Sequence, residues 1–216
     1  MTSTNPRAGD GALQCSVRPA SVDRERLRAQ VQAKYTDVAA QPELGFHFHT
    51  GRPLAAMLGY AAADVDWLPA SAVESFAGTG NPLSAGALPR GATVLDLGCG
   101  AGFDTLLAAR QVGPSGRVIA VDMTNAMLAK TRAGAAALGL TNVDARVGYA
   151  EELPVADGEV DVVISNGVIN LTPDKVTTMA EIARALKPGG HVQIADIVVH
   201  LEVPQDAKDD IDLWSG

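Results

Sequence analysis

The stretch from Thr93 to Asp122 constrains the fold of this chain more than any other. It reads T-V-L-D-L-G-C-G-A-G-F-D, continues through a helical segment, and closes with G-R-V-I-A-V-D. An apolar, β-branched run (residues 93–97) enters a loop with glycine at 98, 100 and 102, and a second apolar run (residues 117–121) ends on Asp122. Two such runs joined by one helix make a βαβ unit, whose ligand site lies at the carboxyl ends of its strands. Glycines in the loop let the backbone turn sharply and lie against a ligand. Asp122 stands 20 residues beyond Gly102, where a carboxylate can accept hydrogen bonds from both hydroxyls of a ribose.

Departures from the dinucleotide pattern G-x-G-x-x-G select the ligand. Phe103 stands where that pattern needs Gly or Ala. Asp96 precedes the loop, and Asp104 falls in the first turn of the next helix. A pyrophosphate at a helix N-terminus needs positive potential and open N–H groups. Two flanking carboxylates oppose a diphosphate and favour a ligand that carries positive charge. S-adenosylmethionine, an adenosine with a sulfonium, an ammonium and no phosphate, meets that requirement; a nicotinamide cofactor does not. The competing reading is a βαβ unit whose glycines serve only the turn.

The rest of the chain supplies a setting for that unit. Its 216 residues suffice for one domain with an appendage. A net charge of −8 argues against nucleic-acid and anionic-membrane partners, and no run reaches the length of a membrane span. Two cysteines, Cys15 and Cys99, fit a reducing cytoplasm better than a disulfide framework. Residues 1–20 lack periodicity and read as a flexible tail. Residues 21–90 read as a small helical cap. One helix starts at Ser21 with Leu27, Val31, Tyr35 and Val38 on one face, another spans residues 50–59, and residues 64–89 are loop-rich. From residue 91 strands and helices alternate: a helix capped by Thr124, strands at 143–147 and 160–164, and a helix opened by Thr172, Pro173 and Asp174. That last helix places Val176, Met179, Ala183 and Leu186 inward; Lys187-Pro188-Gly189-Gly190 ends it, and a fifth strand covers 191–199. Continuous apolar strands alternating with helices predict an α/β fold with a parallel sheet covered on both faces.

With V-L-D-L-G-C-G-A-G-F-D, V-I-A-V-D-M-T, A-E-E-L-P, V-D-V-V-I-S-N-G-V-I-N-L-T-P-D-K and A-L-K-P-G-G in order, the chain resembles the class I S-adenosylmethionine-dependent methyltransferases. More narrowly, V-D-M-T, S-N-x-V-I-N-L-x-P-D-K and the closing D-L-W-S-G resemble the arsenite methyltransferases. The resemblance covers residues 50–216 and implies a Rossmann-like sheet with an N-terminal helical cap. By position it implies that Asp96, Gly98, Cys99, Gly100 and Gly102 form the loop around the methionine moiety. Asp122 would hold the ribose, Met123 would pack on the adenine, and Ala150 and Glu151 would reach the adenine's edge. Ser165 and Asn166 would close the site near the methyl group, with Tyr60 as a contact from the cap. For Tyr60 and Ser165 a purely structural role is the equal alternative.

The acceptor side departs from that family. Trivalent arsenic is soft and is held by thiolates. The family's cysteine in S-N-C-V-I-N-L is Gly167 here, Thr79 and its neighbours supply no thiol, and the chain stops at Gly216, where another cysteine is expected. Strands that follow the fifth in this fold are also absent, which leaves residues 191–199 as a long apolar edge. The expectation is therefore a methyltransferase domain over 91–216 that lacks its C-terminal strands, its sequence shortened where a UGA selenocysteine codon is read as a stop. His47 and His49 could pair on a metal, but no third ligand lies near, so an acceptor-pocket role or packing of Phe46 and Phe48 is favoured and no metal is expected. Asp206, Asp209, Asp210 and Asp212 read as a solvated face. Transfer from a sulfonium needs alignment and water exclusion more than an acid or base, so no catalytic residue is assigned. Two functions remain: methyl transfer to a small acceptor, arsenite or another, and a non-catalytic S-adenosylmethionine binder.

Overall fold

The computed structural model describes residues 23–42, 49–200 and 204. Its centre is a five-stranded parallel sheet in the order β3-β2-β1-β4-β5, built from β1 (Thr93–Leu97), β2 (Arg117–Asp122), β3 (Val143–Val147), β4 (Val160–Asn166) and β5 (Leu186–Ala195). Leu95 pairs with Ile119 on one side and Val163 on the other. Alternate residues of the central strands leave the sheet on opposite faces. Val94, Val118, Val162 and Ile164 meet Ala108, Ala109 and Val112 of α5 (Phe103–Val112). Leu95, Ile119 and Val163 meet Ile182 and Ala185 of α7 (Lys175–Ala185). Helix α6 (Asn125–Ala137) packs through Leu128 on Ala120. Both faces are covered, which is why these strands carry unbroken apolar runs.

Ahead of the sheet come α1 (Arg24–Ala40), α2 (Gly51–Met57), α3 (Ala62–Trp67) and α4 (Ala70–Glu74). The expected loop-rich segment 64–89 thus holds the end of α3, all of α4 and a 3₁₀ turn, Pro82–Ala85. Burial outweighs weak local propensity there: Val65, Leu68, Ala72, Val73 and Phe76 form one cluster with Phe103 and Leu106 of α5. Helix α1 lies against the loop and α6 through Val38, Ala39, Ala101 and Met127.

Several local expectations are corrected. Asp23, not Ser21, caps α1, its carboxylate accepting from the N–H groups of Glu25 and Arg26; Ser21 lies outside the described residues, as do the 1–20 segment, Phe46, His47, Phe48 and the acidic residues 206–212. Thr124 sits at the N-cap of α6 without a side-chain capping bond, and its own N–H donates to Asp122 Oδ1. Asp174, rather than Thr172, caps α7 by accepting from Thr177 N at 3.0 Å. The inward face of α7 is Thr178, Ile182 and Ala185, while Val176 is 82% and Met179 44% exposed. Thr178 can be buried because its hydroxyl donates back to Asp174 O at 2.9 Å. Strand β5 includes the Lys187–Gly190 turn residues, with a register shift opposite Val160 and Val162, and ends at Ala195 rather than 199.

Candidate functional site

The loop after β1 is fixed by its own backbone. Gly98 N and Cys99 N both donate to Val121 O, at 2.8 and 3.0 Å, which ties the loop to the end of β2. Gly100 has φ +52°, and nothing stands within 4 Å of where its Cβ would be, so glycine is required there by conformation and leaves open space. Its N–H donates to Asp122 Oδ2 at 2.9 Å, and Thr124 N donates to Asp122 Oδ1 at 2.8 Å. Each oxygen of that carboxylate keeps a further lone pair for a ligand. Burial pushes the Asp122 pKa up, opposed by the Thr124 and Gly100 amides.

These groups line one cleft, open in part to solvent. The expected residues Asp96, Gly98, Cys99, Gly100, Asp122, Met123, Ala150, Glu151 and Asn166 all line it, as does Asp104. Gly102 does not; at φ +89° it makes the turn into α5, where a Cβ would stand 3.0 Å from Thr131. Tyr60 and Ser165 are also absent from the lining, which favours their structural alternatives. Ser165 is fully buried and donates to Leu97 O at 3.2 Å. Tyr60 packs edge-on against Phe76 and Phe103 and donates to Asp104 Oδ1 at 2.6 Å.

Asn166 completes the arrangement around Asp104. Its Nδ2 donates to Asp104 Oδ2 and Gly80 O, both at 2.9 Å, and its Oδ1 accepts from Thr79 N at 2.8 Å and Gly80 N at 3.1 Å. Segment 78–80 is thereby strapped across the end of β4. Burial raises the Asp104 pKa to about 6, against the Asn166 and Tyr60 hydrogen bonds. Asp96, whose carboxylate accepts from the Thr105 hydroxyl, is raised to about 8 by burial and then by the charge of Asp104. A desolvated carboxylate pair stores a demand for a cation.

Sequence reasoning missed the wall that α1 supplies. Arg28, Val31 and Tyr35 line the cleft, and Gln32 Nε2 donates to Met123 O at 2.7 Å. Arg28 stacks over Tyr149 and lies 3.3 Å from Glu151 Oε1, which is buried and accepts no hydrogen bond. Burial near Asp122 pushes the Tyr35 pKa up to about 12. The signal available in sequence was Tyr35 on the apolar face of α1, which reads equally as core.

Gly167, where the resemblance implies a cysteine, lies against Thr79, and neither residue carries sulfur. A Cβ on Gly167 would stand 2.9 Å from Thr79 Cγ2, and Gly167 has φ +70°. Cys99 is buried, and burial followed by the charges of Asp122 and Asp96 drives its thiol pKa well upward, away from the thiolate. His49, His191 and His200 are exposed. No helix among the described residues is long and apolar enough to cross a membrane.

Comparison with known proteins agrees with this geometry. A family model described as a methyltransferase domain matches residues 88–215. An arsenite methyltransferase of Halobacterium salinarum is 47% identical over 159 residues, which is 74% of this chain and 40% of that protein. An arsenite methyltransferase of Aquipseudomonas alcaligenes is 43% identical over 135 residues, 59% of this chain and 39% of its own length. The chain therefore spans well under two thirds of these relatives. The crystal structure of an arsenic(III) S-adenosylmethionine methyltransferase from Chlamydomonas reinhardtii aligns with a TM-score of 0.56 at 35% identity, covering 74% of this chain and 53% of that one. A glycine loop ordered by Asp122, a cleft lined by the buried Asp96 and Asp104, and these similarities have one reading: the chain belongs to the methyltransferase-domain family, as a class I S-adenosylmethionine-dependent domain that resembles the arsenite methyltransferases.

Proposed function

We propose that this domain transfers a methyl group from S-adenosylmethionine to a small, soft acceptor, with arsenite as the first candidate. The observation that carries the reading is Asp122, held by Gly100 N and Thr124 N in one cleft with the buried Asp96 and Asp104. When bound, S-adenosylmethionine supplies a methyl carbon on a sulfonium, with a neutral thioether as leaving group. Asp122 accepts from the ribose hydroxyls, Met123 packs on the adenine, and Glu151 accepts from its amino group. Asp96 and Asp104 compensate the positive charge next to the Gly98–Gly102 loop. Asn166 holds the 78–80 strap, which narrows the methyl end and excludes water. Tyr60 acts through Asp104 as a positioning residue. The free thiol of Cys99 supports a reducing, cytoplasmic setting, and the net charge of −8 supports a small-molecule rather than a nucleic-acid partner. The cap over residues 21–90, ahead of a methyltransferase domain from 91 onward, would then serve as the roof of the cleft.

The relatives' names point to arsenite, but the thiol positions of this chain favour a second reading, a domain that binds the cofactor and turns over arsenite poorly. Gly167 and Thr79 offer no thiolate, so arsenite would take all its sulfur ligands from exogenous thiol and lose the alignment that a fixed site supplies. Incubation with methyl-labelled cofactor, arsenite and a range of thiol concentrations tests this. Cofactor binding with slow, thiol-dependent methylation is expected; full turnover without added thiol overturns the ligand argument.

Inserting the missing thiol locally is expected to fail. Gly167→Cys puts a side chain at φ +70° and against Thr79, destabilising the fold by about 1–3 kcal/mol. Urea unfolding midpoints measure it. A Gly167→Cys protein as stable as the parent and faster on arsenite would show that the strap yields to a thiol.

A further inference from the structure

We propose that Ser75 and Lys130 form the subsite for the α-carboxylate at the methionine end of the ligand, a reading that rests on S-adenosylmethionine as the occupant of the cleft. Ser75 follows directly on α4, is 4% exposed and lines the cleft. Its Oγ accepts a hydrogen bond from Lys130 Nζ, 2.8 Å away on α6. Lys130 makes no ion pair among the described residues.

A hydroxyl carries one proton and two lone pairs. With an ammonium on one lone pair, the Ser75 proton is free for an acceptor, and no protein acceptor takes it among the described residues. The neighbouring lining residues Ala77 and Gly78 add two backbone N–H groups that donate to nothing among the described residues. Three donors, one of them polarised by a lysine, therefore belong to residues that line a cleft whose charged lining groups are Asp96, Asp104, Asp122, Glu151 and Arg28. Arg28 is engaged with Glu151 and Tyr149. The donor cluster matches an anion, and the α-carboxylate is the one anionic group of S-adenosylmethionine. Its ammonium goes to Asp96 and Asp104, so the cleft reads the amino-acid end as a zwitterion. An uncharged or decarboxylated thioether nucleoside then leaves the Ser75 hydroxyl unsatisfied and is discriminated against.

Titration calorimetry with two ligands tests the assignment. S-adenosylhomocysteine carries the carboxylate; S-adenosyl-3-thiopropylamine keeps the ammonium and lacks it. Lys130→Met and Ser75→Ala are each expected to weaken S-adenosylhomocysteine by about tenfold to a hundredfold and to leave the amine within twofold. Unchanged binding of the amine also reports that each variant has kept its fold, and Lys130→Arg should restore most of the loss. Equal weakening of both ligands, or no change in either, overturns the subsite while leaving the cofactor reading intact. A parent protein that binds neither ligand fails at the cofactor reading itself and takes the subsite with it.

Discussion

Asp122→Ala lowers the affinity for S-adenosylhomocysteine by about a hundredfold, more than the loss of ribose contacts alone would give. Two effects share that carboxylate. Its free lone pairs serve the ribose hydroxyls in the proposed complex, and its occupied ones hold Gly100 N and Thr124 N, at 2.9 and 2.8 Å. Alanine removes the ligand contact and also releases the backbone at Gly100 and at the start of α6. Asp122→Asn separates the two, since an amide keeps one acceptor oxygen and turns the other position into a donor. The asparagine variant should lose less affinity than alanine if one backbone amide stays held, and should bind 2′- and 3′-deoxy analogues with a smaller relative penalty than the parent. Calorimetry showing parental affinity in Asp122→Ala removes Asp122 from the site.

The sheet and its loop were legible because their physics is local in sequence. Residues 93–97 and 117–121 are short, largely apolar runs and 143–147 alternates apolar with charged residues, each between turn signals, and strands β1, β2 and β3 follow them to within a residue. The lining of the cleft by Asp96, Gly98, Gly100, Asp122 and Met123 follows from the βαβ register. What failed was decided by packing between distant segments. Two faces of α7 carry helical spacing, and sequence alone favoured Val176 and Met179 over Thr178 and Ile182. Thr178 became buried because its hydroxyl finds Asp174 O, a choice that hydropathy does not encode. For Tyr60 the sequence leaves a ligand contact and a structural role open, and its hydrogen bond to Asp104, 44 residues away, favours the structural one. Arg28 and Tyr35 reach the cleft only because α1 lies across the loop and α6. Ser75 follows α4 and Lys130 lies on α6, and no motif links them.

Binding of S-adenosylhomocysteine at pH 7 releases close to one proton, and affinity rises about tenfold per pH unit from pH 6 to 7.5. The group responsible is Asp96. Burial, followed by the charge of Asp104, raises it to about 8, while the Thr105 hydroxyl pulls the other way; Asp104 itself lies at about 6. At pH 7 the empty protein therefore holds a proton on Asp96 and has Asp104 mostly ionised. The ligand's ammonium favours the ionised form of Asp96, so binding expels that proton to the buffer. Below about pH 6 Asp104 protonates as well and the slope steepens; above about 8 it flattens. Calorimetry in buffers of different ionisation enthalpy counts the proton directly, and Asp96→Asn should abolish both the release and the slope. The sign for stability is opposite. A folded pKa raised from 3.8 to about 8 means that the empty protein loses stability from this carboxyl as pH rises through that interval. Asp96→Asn should thus melt higher than the parent at pH 8 without ligand, and lower than the parent when both are saturated. Proton-neutral binding at pH 7 would refute the role of Asp96. The two signs together identify it as a group kept at the expense of the empty fold, because only the cationic ligand relieves it.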